Sequence, residues 1–342
     1  MGARAKVLVV DDSAFARKVL REVLSQSPEL ELCGFARDGL EALERIQEEQ
    51  PDVITLDLVM PQLDGVGLLR ELKALPNAPR VVVVSFSDQD SEAVVEALEL
   101  GAFDVVKKPT SLATERMYEL GGDLTRKVRA AAAARVVRVE PVAPAAPLVP
   151  LVATKCTLVA VGTSTGGPQA LASLLPALPQ NLPVPIVIAL HIPEDYTAAL
   201  AARLSSASKL EVVEARDGLR LRPGVAVLAR GGHHLVVRRN GEHLEVKVTT
   251  QPSGTVYHPS VDLMFQSAAE ACGAGVLGVV LTGMGDDGKI GARHVRAAGG
   301  AVLTEAESTC VVYGMPRAVR DAGLSDGDAP LPRMAAEILA RL

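Results

Sequence analysis

Residues 6–25 read KVLVVDDSAFARKVLREVLS. The apolar run KVLVV stops at two aspartates, and from Phe15 to Ser25 apolar residues recur at helical spacing. An apolar strand that hands acidic groups to a turn and then a helix is the opening unit of a βαβ chain. The pattern repeats outward from there. ELCGF (Glu31–Phe35), VITLDLV (Val53–Val59), VVVVS (Val81–Ser85) and DVVKK (Asp104–Lys108) read as strands. They are apolar nearly throughout, as parallel strands covered on both faces must be. Between them, Gly39–Gln50, Gly65–Leu75 and Glu92–Leu100 carry 3.6-residue apolar spacing. The rhythm predicts a doubly wound parallel sheet of five strands.

The chain divides once. From Arg129 to Thr154 the composition shifts to an alanine run followed by VVRVEPVAPAAPLVPLVAT, with Pro141, Pro144, Pro147 and Pro150 at every third position. Polyproline II has three residues per turn, so these rings would line one edge of a semi-rigid spacer; a disordered tether fits equally well. The expected organisation is a domain over residues 1–125, an Ala/Pro-rich linker over 126–153 and a second domain over 154–342. In the second domain TLVAVG (Thr157–Gly162), PIVIALH (Pro185–His191), VAVLA (Val225–Ala229) and GVVLTG (Gly278–Gly283) are apolar runs that end in turn-like clusters. HLVVRRNGEHLEVKV (His234–Val248) reads as a hairpin turning at Asn240-Gly241. A doubly wound α/β unit whose sheet is mixed follows.

Composition removes several function classes. The 342 residues carry 35 Lys+Arg against 41 Asp+Glu, a formal charge of −6. That balance gives a nucleic acid no electrostatic footprint, and a chain with no Trp, 4 Tyr and 5 Phe offers few stacking platforms. Cys33, Cys156, Cys272 and Cys310 form no C-x-x-C pair, which suits reduced thiols in a cytoplasm rather than zinc or disulfides. No signal peptide and no window of ~18 apolar residues is found, so a cytoplasmic location without membrane insertion is expected.

The first domain gathers a phospho-acceptor set. Asp11 and Asp12 close the first strand, Asp57 the third, Ser85 the fourth and Lys108 the fifth. Carboxylates converging at the carboxyl edge of a parallel sheet repel unless a hard cation such as Mg²⁺ joins them. A carboxylate beside such a cation can accept a phosphoryl group, and an ammonium and a hydroxyl can hold its oxygens. One such residue alone is most often a cap or a surface group; five at four strand ends are a site. The pieces V-D-D-S, L-D-x-x-M-P-x-x-D-G and V-x-K-K-P-T resemble the receiver domain of two-component response regulators, a flavodoxin-like fold, over roughly residues 5–122. The resemblance implies phosphorylation at Asp57, Mg²⁺ held by Asp11, Asp12, Asp57 and the carbonyl of Val59, and phosphoryl sensing by Ser85 and Lys108. It departs at Val105, where receivers often carry an aromatic switch residue.

The second domain carries a hydrolytic set. Gly162-Thr163-Ser164-Thr165-Gly166-Gly167 satisfies G-x-S-x-G between a strand and a helix, where a serine hydroxyl can point outward. Ser164 could equally cap the helix, or the glycines cradle a phosphate. A nucleotide site would want an acid about 20 residues on, and Leu178 to Ile192 holds no Asp or Glu. His191 ends the next apolar strand and Gly283-Met284-Gly285-Asp286-Asp287-Gly288 follows another, although His233, His234, His243, His258 and His294 compete for the role of base. The motifs G-T-S-T-G-G, H-I-P, H-P-S-V-D, L-T-G-M-G-D-D-G and C-V-V-Y-G-M-P over residues 155–340 resemble the catalytic domain of chemotaxis protein-glutamate methylesterases of the CheB family. The resemblance implies Ser164 as nucleophile, His191 as base, Asp287 as orienting carboxylate, and backbone N–H groups of Met284 and Thr165 as oxyanion donors. No cofactor is implied for the esterase half. Tyr257-His258 stands where the family usually has His-Arg. The implied partners are methyl-accepting chemoreceptors and a sensor histidine kinase of the CheA type. The implied reactions are hydrolysis of receptor glutamyl methyl esters and deamidation of receptor glutamines. A second domain that only binds a partner is the competing reading.

Overall fold

The strands of the first half are β1 (Ala5–Val10), β2 (Leu30–Ala36), β3 (Val53–Leu56), β4 (Arg80–Ser85) and β5 (Asp104–Lys107). They pair in parallel in the order β2-β1-β3-β4-β5. This is seen in a computed structural model that describes residues 4–85, 91–108, 114–134 and 156–342. The helix Ala14–Ser25 buries Ala16, Val19, Leu20, Val23 and Leu24, the stripe its spacing dictates. Ser13, Asp38 and Asp64 each accept a backbone N–H at the start of a helix, which fixes where the chain leaves the sheet. Two expectations shift. β3 stops at Leu56 instead of reaching Val59, so Asp57 stands on a loop. The helix Thr114–Ala133 runs past residue 126, where the linker was expected to begin. Alanine, which suggested a tether, is also the strongest helix former. The proline repeat lies outside the described residues.

The chain divides into two compact units, Met1–Arg135 and Val136–Leu342. The second contains β6 (Leu158–Thr163), β7 (Ile186–Leu190), β8 (Glu211–Glu214), β9 (Val225–Leu228), β10 (His234–Asn240), β11 (His243–Thr249), β12 (Val276–Val280), β13 (Ala301–Glu305) and β14 (Gly327–Ala329). Seven of these form one parallel sheet in the order β14-β13-β12-β6-β7-β9-β8. The mixed sheet expected from the sequence is therefore corrected: β10 and β11 make a separate antiparallel pair. Their inner residues Leu235, Val237 and Val246 join the core that contains Phe265, and Ser267 Oγ accepts from Val237 N at 3.0 Å. The hairpin loop is Gly241-Glu242, one residue beyond the expected Asn240-Gly241, because Asn240 pairs with His243.

From β6 the chain builds outward through β7 and β9, then returns to lay β12, β13 and β14 on the other side. The order thus reverses between β6 and β12, and the carboxyl edge at such a switch point is where α/β sheets hold ligands. Gly162 lets the helix Val261–Cys272 begin against that edge, since a side chain at residue 162 would collide with Val261. None of the described helices is long and apolar enough to cross a membrane.

Candidate active site

Thr163 of β6 pairs with Leu190 of β7, so Ser164 and His191 are the next residues on neighbouring parallel strands. Ser164 N donates to Thr282 O (3.1 Å), which ties the same turn to the residues after β12. Three strand ends therefore meet where Ser164, His191 and the 283–288 loop stand. Ser164 does not cap the helix that follows: Gly166 is its N-cap, with φ +79° and no side-chain cap. The left-handed backbone there suits glycine, and a Cβ at residue 166 would stand 2.6 Å from that of Val311. Gly283 is equally confined, since a Cβ there would lie 2.9 Å from Ser164 Cβ.

His191 Nε2 and Asp287 Oδ2 are 2.8 Å apart. The other ring nitrogen, Nδ1, is buried and has no hydrogen-bond partner among the described residues. Asp287 is held from every side: its Oδ2 accepts from Val261 N (2.8 Å), and its Oδ1 from Asp262 N (2.9 Å), Gly288 N (3.1 Å) and Ser260 Oγ (3.2 Å). Burial works against its ionisation, but His191 and these N–H groups outweigh it and hold the carboxyl below the usual range. Asp286 instead is exposed and pairs with Lys289. Asp262 receives Gly288 N (2.8 Å) and Gly291 N (2.7 Å), which fixes the loop that carries Asp287.

The remaining histidines separate by position. His234 is buried behind the site, where its Nδ1 accepts from Ser260 N (3.2 Å) and its ring lies 4.4 Å from that of His258. Burial, with the neighbouring imidazoles, pushes its pKa down. His233 sits against its own turn, 3.1 Å from Gly231 O. His243 opens β11 and His294 is exposed on the helix Lys289–Ala297. Sequence reasoning missed two supporting contacts. The Tyr257 ring lies parallel on His191 at 4.2 Å, and Ser260 links His234 to Asp287. The motif H-P-S-V-D and the Tyr257-His258 departure marked that segment, but neither contact.

In the first unit, ligand atoms of Asp11, Asp12 and Asp57 lie within 4.8 Å of one another, an arrangement that could hold a metal ion. Lys108, 2% exposed, donates to Asp57 Oδ2 and stands 2.7 Å from Asp11 Oδ2. That Asp11 oxygen is buried and faces the Lys108 ammonium. Burial pushes the Asp57 carboxyl up against the opposing pull of Lys108. Ser85 ends β4 and is fully buried, and Val59 N donates to Asp57 Oδ1 at 3.4 Å. Val105 is buried too, and Lys127 Nζ donates to its carbonyl at 2.7 Å.

Comparison with known proteins places the chain in a family. The model of the CheB methylesterase family matches residues 159–338 and that of the response regulator receiver domain matches residues 7–117. A protein-glutamate methylesterase/protein-glutamine glutaminase of Myxococcus xanthus is 58% identical over 97% of this chain and 96% of its own length. One from Desulfitobacterium hafniense is 40% identical over 97% and 96%. The crystal structure of the Thermotoga maritima CheB methylesterase catalytic domain superposes with a TM-score of 0.54 at 36% identity, over 55% of this chain and 100% of that one. The chain belongs to the CheB methylesterase family, with a receiver domain preceding the catalytic domain.

Proposed function

We propose that the chain is a phosphorylation-activated protein-glutamate methylesterase that hydrolyses γ-glutamyl methyl esters on chemoreceptors, and that its site is built on Ser164, His191 and Asp287. The observation that carries the reading is the His191–Asp287 pair at 2.8 Å with the opposite imidazole nitrogen left without a partner among the described residues, on the strand next to Ser164. His191 Nδ1 takes the Ser164 proton as Oγ bonds to the ester carbonyl carbon. Backbone N–H groups of Met284 and Thr165 stabilise the oxyanion. The C–O bond to the methoxy group breaks, methanol leaves with the proton from His191, and a glutamyl ester of Ser164 remains. Water then gives one proton to His191 and attacks that ester, Ser164 Oγ recovers that proton, and the glutamic acid side chain is released and gives its remaining proton to solvent. Receptor glutamine would follow the same course with ammonia as leaving group. The expected outcome is that Ser164→Ala abolishes methanol release from methylated receptor membranes; release near the wild-type rate would refute the reading.

The donor set of the first unit fits a hard divalent cation: ligand atoms of three carboxylates lie within 4.8 Å of one another. In this reading Asp11, Asp12, Asp57 and the Val59 carbonyl would hold Mg²⁺, which would neutralise phosphoryl charge. Asp57 is the residue phosphorylated, from a CheA-type sensor histidine kinase, and Ser85 and Lys108 hold the phosphoryl oxygens.

A further inference from the structure

We infer that Glu305 is a positioning residue for hydrolysis: its carboxyl group fixes Thr282, the residue from which both the nucleophile turn and the oxyanion loop hang. This rests on the reading of Ser164 given above. Glu305 is the last residue of β13, fully buried beside the site and without a part in the proton transfers. Its Oε2 accepts from Thr282 N at 2.8 Å. Thr282 is the hub. Its carbonyl receives Ser164 N (3.1 Å) and Thr163 Oγ1 (2.7 Å), and its hydroxyl donates to Thr165 O (3.0 Å) and accepts from Val312 N (3.0 Å). The next residue, Gly283, is bound in turn to Val312 O and Met315 N. The other carboxyl oxygen is braced by Thr309 Oγ1 (2.9 Å), which itself accepts from Leu331 N (3.0 Å).

A carboxyl group buried here is costly, because among the described residues no cation pairs with it. The groups that act on it besides burial are the Thr282 N–H, the Thr309 hydroxyl and the Cys310 thiol, and burial prevails, pushing it up to about 7. Both protonation states leave Oε2 free to accept from Thr282, with the proton seated on the Thr309 side. What the site requires of residue 305 is therefore reach, not charge.

Glu305→Gln keeps the reach and loses the charge; Glu305→Asp keeps the charge and falls short by one carbon–carbon bond, about 1.5 Å. The full chain would be assayed with methylated receptor membranes and a phosphodonor, with the melting temperature of each variant recorded. E305D is expected to lower kcat about tenfold with KM within about twofold, while E305Q stays within about twofold of wild type in both. Thr309→Val, which removes the brace, gives a smaller fall in kcat and carries the test if E305D does not fold. Wild-type kcat in folded E305D, wild-type kcat in T309V, or E305Q falling as far as E305D would overturn the inference. Full turnover by S164A would instead overturn the nucleophile reading beneath it.

Discussion

Asp287 and Glu305 are two buried acids with opposite environments, and their pH signatures have opposite signs. Asp287 accepts three backbone N–H groups and faces His191, so its folded pKa is depressed; it stabilises the fold above its unfolded value of 3.8, and that contribution is lost only as strong acid protonates it. Glu305 rises from 4.5 to about 7, so its contribution is present below pH 4.5 and is lost as pH climbs through 7. At about 1.4 kcal/mol per pKa unit the shift corresponds to about 3 kcal/mol. Denaturant unfolding of the catalytic domain within the full chain should show stability falling between pH 5 and pH 8, and Glu305→Gln should remove most of that fall; an unchanged slope would contradict the assignment. Asp287→Asn should lower kcat by about 10²–10⁴ while the variant stays folded, because the imidazole loses the acceptor that fixes its tautomer. At this scale the sequence was legible only where a motif gathered residues. Ser164 read equally well as a cap, and what decides against that is the left-handed Gly166 at the N-cap position. Glu305 and the Tyr257 stack were not legible, since each acts through a partner distant in the chain.

Some helices and strands with a strong period stand where expected, within a residue or two, as Ala14–Ser25 and Ile186–Leu190 show, while the helix Gly65–Leu72, β3 and β12 each end three residues early. The strands missed are β8, β13 and β14; β13 buries four of its five residues, while the other two carry little pattern of their own. β14 is Gly327–Ala329, three residues with one buried side chain, and β8 is an edge strand with one buried residue. The hairpin was legible as a hairpin but not as a separate sheet, because alternation along β10 and β11 says which face is buried and not what covers it. The helix Thr114–Ala133 was not read at all, and its alanine run was given to the linker. The most confined turn is testable: Gly166→Ala must hold a φ of +79° and crowd Val311. A loss of about 1–3 kcal/mol in denaturant unfolding is expected, and wild-type stability would show that the turn tolerates a side chain.

On the scale of the whole molecule, two parallel sheets each present their chemistry at carboxyl edges. In one, acids and Lys108 close strands β1, β3 and β5; in the other, Ser164, His191 and Asp287 surround the reversal between β6 and β12. If Asp57 receives the phosphoryl group, Asp57→Ala should abolish stimulation of methanol release by a small-molecule phosphodonor and leave the basal rate unchanged; stimulation that persists would place the acceptor elsewhere. The central claim is that Ser164, His191 and Asp287 act as one unit, and groups acting as a unit are not additive when removed. Methanol release should therefore be measured for Ser164→Ala, His191→Ala, Asp287→Ala and the triple variant. The account predicts that the triple variant is no slower than Ser164→Ala alone; losses that multiply across the three sites would contradict it.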